Sequence, residues 1–183
     1  MRLTTKRLIL RDITMKDVKD LVKQINNINI SKWLLVVPYP YTMKDAKWYI
    51  NQCKKESRKK SKEHYSFGVE LKAKHEIIGG MGISKINYEQ GTADIGYWIG
   101  KDYWRQGYAL EGVRKLIDYS FNTLKLRRLT IPAFAINKGS NGLAKSLGFK
   151  YEGTLRQAAK CKATGKIHDE NVWSLLSAEW KKK

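Results

Sequence analysis

The stretch ADIGYWIGKDYWRQGYALEGV, Ala93 to Val113, changes character midway. Its first eight residues, Ala93 to Gly100, read as a β-strand, and from Ala109 onward Val113, Leu116, Ile117, Ser120 and Phe121 recur at helical spacing. Between them Gly107 and Ala109 keep side-chain bulk away from a strand-to-helix turn, and Arg105 adds a positive charge. Amides around Arg105, Gln106, Gly107, Tyr108 and Ala109 open the helix as unpaired donors at the positive end of its dipole, a setting that binds phosphate. The plainer alternative is a tight turn with no ligand. GYALEG also fits the glycine fingerprint of dinucleotide folds, but that fold needs an acidic residue about twenty positions on to hold a ribose. No Asp or Glu lies between Asp118 and Glu152. A Walker phosphate loop is excluded because no Lys-Ser or Lys-Thr follows the glycines.

Working outward, Lys6–Arg11 (KRLILR) reads as a strand, and Thr14 with Asp17 forms a capping box ahead of a helix reaching about Asn26. Pro38 and Pro40 make WLLVVPYPYT a loop carrying Trp33, Tyr39 and Tyr41, aromatics that either wall an acceptor groove or fill the core. Thr42 and Asp45 cap a second helix that fades near Lys60. Tyr65–Leu71, Ile77–Ser84 and Ala93–Gly100 then read as an antiparallel meander, and the glycines of IIGGMGIS mark a place where backbone or ligand comes close. Arg127–Ile136 follows as a strand and Lys138–Leu147 as a short helix closed by Gly148. FKYEGTL and VWSLLSAEW supply closing strands, with RQAAKCKATGKIHDEN expected as a polar loop between them. Strand, helix and strand around the opening stretch imply one parallel crossover in an otherwise antiparallel sheet. The expectation is one α+β domain over residues 1–183, its mixed, largely antiparallel sheet having about seven strands.

Lys and Arg number 36 against 17 Asp and Glu, a formal charge of +19 that attracts polyanions: RNA, a ribosome surface, anionic lipid or a phosphate-rich cofactor. The densest run, CKKESRKKSKEH, is either such a surface or a solvated helix face. No apolar run is long enough to span a membrane and the start lacks a signal-peptide pattern, so a cytoplasmic protein is expected. Cys53 and Cys161 make no disulfide framework, and His64, His75 and His168 lack zinc spacing, so no metal is assigned. Cys161 lies between lysines, but a lone thiol without a neighbouring His is an incidental thiol.

Taken together, TKRLILRDI, ADIGYWIGKDYWRQGYALEG, INKGSNGLAKSLGFKYEGTLRQA and GKIHDENVWSLL resemble the GCN5-related N-acetyltransferases (GNAT), in particular the branch that acetylates the amino termini of ribosomal proteins. The phosphate-turn pattern of that family, Q/R-x-x-G-x-G/A, is met at Gly107 and Ala109, with Trp104 at its first position. The resemblance implies acetyl-CoA as co-substrate, its pyrophosphate on the Arg105–Ala109 amides. It implies a splayed strand at IGYWI, where the pantetheine arm pairs with the backbone of Tyr97, Trp98 and Ile99 and an amide polarises the thioester carbonyl. Asn137 and Ser140 then lie beside the pantetheine and sulfur; read from the residues alone, they equally cap the short helix.

Direct attack needs a neutral amine and a hydrogen-bond donor or proton for the departing thiolate. Ser140 is the foremost candidate for the thiolate, with Tyr97 and Tyr108 behind it. Asp94 either accepts the amine proton, directly or through water, or is an exposed strand residue. Asp169 and Glu170 bind the amine or brace the closing strands, and Ala159 stands where some relatives carry a carboxylate. The expected acceptor is a protein N-terminus, with ribosome or RNA association through the basic surface, as monomer or dimer. Two alternatives remain: acetylation of a small amine such as a polyamine or an antibiotic, or a basic RNA-binding protein on the same fold without the chemistry.

Overall fold

A computed structural model describes residues 1–180. In chain order its elements are β1 (Arg2–Thr4), β2 (Leu8–Arg11), α1 (Val18–Ile25), α2 (Ile28–Ser31), α3 (Met43–Ser57), β3 (Tyr65–Leu71), β4 (Glu76–Asn87), β5 (Thr92–Ile99), α4 (Tyr108–Asn122), β6 (Arg128–Phe134), α5 (Lys138–Ser146), β7 (Lys150–Lys160) and β8 (Ile167–Leu176). They build one open sheet in the order β1-β2-β3-β4-β5-β6-β8-β7. Every adjacent pair is antiparallel except β5 and β6, the two strands joined through α4. The crossover expected from the sequence is therefore present.

The sheet has eight strands where about seven were expected, because β1 is a three-residue edge strand too short to show a period. The closing hairpin departs further. RQAAK continues β7 and IHDEN begins β8, while SAEW leaves the sheet as a 3₁₀ turn. The intervening loop shrinks to residues 161–166. β7 is an edge strand with nearly every side chain exposed, so no buried face imposed an apolar alternation that could be read.

Two cores sandwich the sheet. On the α4 and α5 face, Leu8, Ile83, Ile95, Leu116, Ile117, Leu129 and Ile131 are at most 1% exposed, each stabilising the fold by roughly 1.5–3 kcal/mol of transfer free energy. On the other face α1 and α3 close over Ile13, Leu21, Ile25, Tyr41, Ala46 and Ile50. Tyr41 thus fills the core, whereas Tyr39 is exposed. Both capping boxes form: the Asp17 carboxylate accepts from the Thr14 amide at 2.8 Å, and that of Asp45 from the Thr42 amide at 2.8 Å.

β5 and β6 share only the pairs Thr92–Arg128, Ala93–Leu129 and Asp94–Thr130. Past Asp94, β5 stays with β4 and β6 with β8, so the sheet parts between them. That wedge is where the site lies.

Candidate active site

The edge of β5 along the wedge follows from strand alternation. The Gly100 amide donates to Ile78 O at 2.8 Å, so the even-numbered residues of β5 turn their main-chain groups toward β4. Those of Tyr97 and Ile99 consequently face the wedge. One is already engaged: the Trp104 indole Nε1 donates to Ile99 O at 2.7 Å. The Trp98 side chain packs on the opposite face, where its ring lies against Gly80 so closely that a Cβ there would meet Nε1 at 2.5 Å. The glycines of β4 therefore admit a neighbouring ring and backbone.

At the mouth of the wedge the chain enters α4 through two left-handed residues, Arg105 (φ +59) and Gly107 (φ +78), the latter as N-cap. Among the described residues no main-chain or side-chain acceptor takes the amides of Arg105, Gln106, Gly107, Tyr108, Ala109 or Leu110. A row of donors at a helix N-terminus thus stands free, as the turn chemistry requires for an anion. The Gln106 side chain turns back to the Asp102 carbonyl at 2.9 Å.

Arg7, from the loop before β2, braces this turn and was not singled out in the sequence. Its Nη1 donates to Gln106 O at 2.8 Å, its Nε to Glu111 at 2.6 Å, and its guanidinium lies 4.4 Å over the Tyr108 ring. Glu111 also accepts from Thr5 Oγ1 at 2.6 Å and from the Arg7 amide at 2.7 Å. Burial alone would raise this carboxyl, but those donors hold it below the usual glutamate value. Its negative charge in the first turn of α4 is therefore balanced by Arg7, leaving Arg105 and the helix dipole as positive potential.

The other wall begins with α5. Asn137 is its N-cap, Oδ1 accepting from the Ser140 amide at 3.1 Å. Ser140 Oγ meets the Tyr97 hydroxyl at 2.9 Å, bridging α5 to β5 across the wedge. Burial pushes the Tyr97 phenol up to about 12, only partly offset by the Ser140 bond, so it is a neutral hydrogen-bonding group at physiological pH. Asn141, also unremarked in the sequence, locks the corner: Nδ2 donates to Phe134 O and Asn137 O, and Oδ1 accepts from Asn171 and the Trp173 indole.

On the sheet's opposite face lie Asp94, Gly96 and Trp98, alternating with the wedge-lining Tyr97. Asp94 pairs with Lys85 at 2.9 Å; Lys85 sits at a register break in β4 with φ +50, and the bulge aims its ammonium at the carboxylate. Gly96 is open, with nothing within 4 Å of an added Cβ. Beyond it Phe134, Ala159 and Cys161 form a small buried cluster against which Trp33 packs. Ala159 is buried and Cys161 is fully buried with its thiol directed to the Ser31 and Lys32 carbonyls, which makes it a packing residue. Asp169 accepts from the Gln157 amide at 2.8 Å and so braces the β7 bulge, while Glu170 follows on the other face of β8. The structure thus brings Tyr97 and Ser140 together across the wedge, with Asn137 beside Ser140, and the Arg105–Ala109 turn to the mouth. It sets Asp94 on the far face at the apex, and the Tyr108 ring under Arg7.

A mixed sheet parted between its two parallel strands, with free helix-opening amides at the mouth, defines an acyltransferase of the GNAT type. The acetyltransferase (GNAT) domain model matches residues 7–150, and the chain belongs to that family as an N-acetyltransferase. It is 33% identical over 180 residues to the uncharacterized N-acetyltransferase p20 of Bacillus licheniformis, covering 97% of each chain. It is 35% identical over 83 residues to the ribosomal-protein-serine acetyltransferase of Escherichia coli (strain K12), covering 45% of this chain and 46% of that one. Among solved structures, the microcin C7 self-immunity acetyltransferase MccE, in complex with acetyl-CoA and AMP, superposes with a TM-score of 0.81 at 25% identity, covering 93% of each chain. No helix among the described residues is long and apolar enough to cross a membrane.

Proposed function

We propose that this protein transfers an acetyl group from acetyl-CoA to the α-amine of a protein N-terminus. The observation that carries the reading is the free donor row from Arg105 to Leu110, together with the edge of β5 that β6 leaves open at Tyr97 and at the Ile99 amide, the Ile99 carbonyl being held by the Trp104 indole. A diphosphate suits the first and an extended amide-bearing arm suits the second. MccE, of the same fold, holds acetyl-CoA, and the Escherichia coli relative acts on a ribosomal protein.

In this reading the Arg105, Gln106, Gly107, Tyr108 and Ala109 amides hold the diphosphate, Asn137 borders the arm, and the Tyr97 amide polarises the thioester carbonyl. When bound, acetyl-CoA supplies an activated acyl group. The Ser140 and Tyr97 hydroxyls stabilise the leaving thiolate by hydrogen bonding; burial keeps the Tyr97 phenol protonated, so it serves as a donor. The amine enters from the Asp94 and Gly96 face, which Gly96 leaves open.

The partner surface is the outer face of α3. Lys44, Lys47, Trp48, Lys55 and Arg58 repeat at helical spacing and are exposed, Trp48 to 64%, a pattern of phosphate contacts around a stacking ring that suits ribosomal RNA.

Acetyl-CoA is incubated with peptides beginning in Ser, Ala, Thr or Met, and with spermidine, while CoA release and intact mass are followed. Peptide acetylation is expected; preference for spermidine would move the assignment to small amines, and no turnover would overturn it. Charge reversal at Lys47 and Lys55 is expected to weaken salt-sensitive RNA binding and spare peptide turnover; equal loss of both would refute that division.

A further inference from the structure

Four carboxylates among the described residues have neither a hydrogen bond nor an ion pair: Glu63, Glu89, Asp102 and Glu170. Three are exposed, Glu63 and Glu89 in loops and turns and Asp102 in a 3₁₀ turn; Glu170 alone is partly buried within a strand. An ionisable group held out of water without a partner is costly, and such a group in a cleft points to chemistry.

Its position is specific. Glu170 pairs with Phe134 of β6 and Leu155 of β7, so its side chain rises on the sheet face that carries Phe134, Thr130 and, through the Asp94–Thr130 pair, Asp94. The wedge therefore has a carboxylate on each bank of its acceptor side: Asp94 on β5, tied to Lys85, and Glu170 on β8, tied to nothing. His168, two residues earlier on the same face of β8, is occupied in stacking on Phe134 at 4.6 Å between ring centroids. Burial raises the Glu170 carboxyl above the ordinary glutamate value; Lys85 opposes this and the Asp94 charge adds to it. The effect is a stronger base than a solvated carboxylate.

We infer that Glu170 is the proton acceptor for the incoming amine, with the Asp94–Lys85 pair as its electrostatic partner. This rests on the acetyl-transfer reading above. The Glu170 carboxylate takes one N–H proton from the ammonium. The freed lone pair forms the amide C–N bond, the thioester C–S bond breaks with its electron pair on sulfur, a second N–H proton ends on that sulfur, and Glu170 returns its proton to solvent.

The test compares wild type, Glu170→Gln, Glu170→Asp and Asp94→Asn, using acetyl-CoA and the best peptide acceptor, across the pH range. Glu170→Gln is expected to lose roughly a hundredfold in kcat/KM near neutral pH, with the KM for acetyl-CoA unchanged and the residual rate rising with pH as free amine accumulates. Glu170→Asp recovers part of the rate, and Asp94→Asn moves the acidic limb of the wild-type profile to lower pH. Because a raised carboxyl costs stability once ionised, Glu170→Gln should melt no lower than wild type at neutral pH, with the difference vanishing in acid. A Glu170→Gln enzyme with the wild-type rate and pH profile overturns the assignment while leaving acetyl transfer intact. A wild type inactive on every acceptor overturns both. A folded Glu170→Gln whose loss shows only in the acceptor KM makes Glu170 a binding group and also refutes it.

Discussion

Gly107→Ala separates the cost of the turn from the cost to its ligand. The residue has φ +78, and an alanine there meets only the Arg7 guanidinium, at 3.3 Å, which must give by a few tenths of an ångström, so the folding penalty is at least that of the left-handed conformation, about 1 kcal/mol. In a chain of 183 residues that lowers Tm by roughly 3 °C. If the methyl group also displaces a phosphate from one amide, a charge-assisted bond of about 1.5–3 kcal/mol is lost and CoA binds roughly tenfold to a hundredfold more weakly. At a CoA concentration about 100 times the wild-type Kd, wild type gains about 2.7 kcal/mol and melts roughly 8 °C higher. A variant weakened about thirtyfold gains under about 1 kcal/mol, some 2–3 °C. Thermal melts with and without CoA read both quantities, and calorimetric titration checks the Kd. Gly148→Ala is the control: its φ is +87, an added Cβ meets nothing within 4 Å, and it lies past the far end of α5. It should pay the same apo penalty and keep the full CoA shift. If Gly107→Ala behaves like Gly148→Ala, the diphosphate does not rest on this turn.

Gly96→Leu should leave Tm and the CoA-induced shift near wild type, since the added side chain enters open space, yet reduce peptide acetylation by at least about tenfold; undiminished turnover would remove Gly96 from the acceptor path. Tyr97→Phe removes the bond to Ser140 Oγ and is expected to lower kcat roughly tenfold without altering the acceptor KM; a change confined to KM would contradict a role at the thiolate. Asp17 lies buried against Arg11, which also holds Glu70, so Asp17→Asn should cost about 2 kcal/mol at neutral pH by denaturant titration. Burial would raise the Asp17 carboxyl, but the Arg11 and Thr14 bonds hold it below its ordinary value. Its contribution is therefore present above about pH 4 and is lost as pH falls through the folded value, so wild type and variant should converge in acid; a constant gap would contradict the linkage.

The elements with a buried face were legible from residue order. α4 repeats its apolar residues at helical spacing, β3 alternates, and Thr14–Asp17 and Thr42–Asp45 announce helix starts, because each signal is a relation between residues a few positions apart. The turn at Gly107 was legible for the same reason: the small residues, the charge and the helix that follows are contiguous. The second half of β7, RQAAK, escaped notice because an exposed edge strand has no inner face to record.

What the residues settle locally is thus the inventory of strands, helices and the bare-amide turn, since backbone sterics and hydrophobic period act over one or two turns of chain. The pairings that build the site are different in kind. Arg7 reaches Glu111 across 104 positions, Tyr97 reaches Ser140 across 43, and Glu170 shares a face with Asp94 only through the register of β5 on β6 and β6 on β8. A shift of one residue in either register would send Glu170 to the opposite face. Only the packed sheet, in which Leu129, Ile131 and Leu175 must stay in the core under α4 and α5, makes that alternative too costly and so decides which side chains meet.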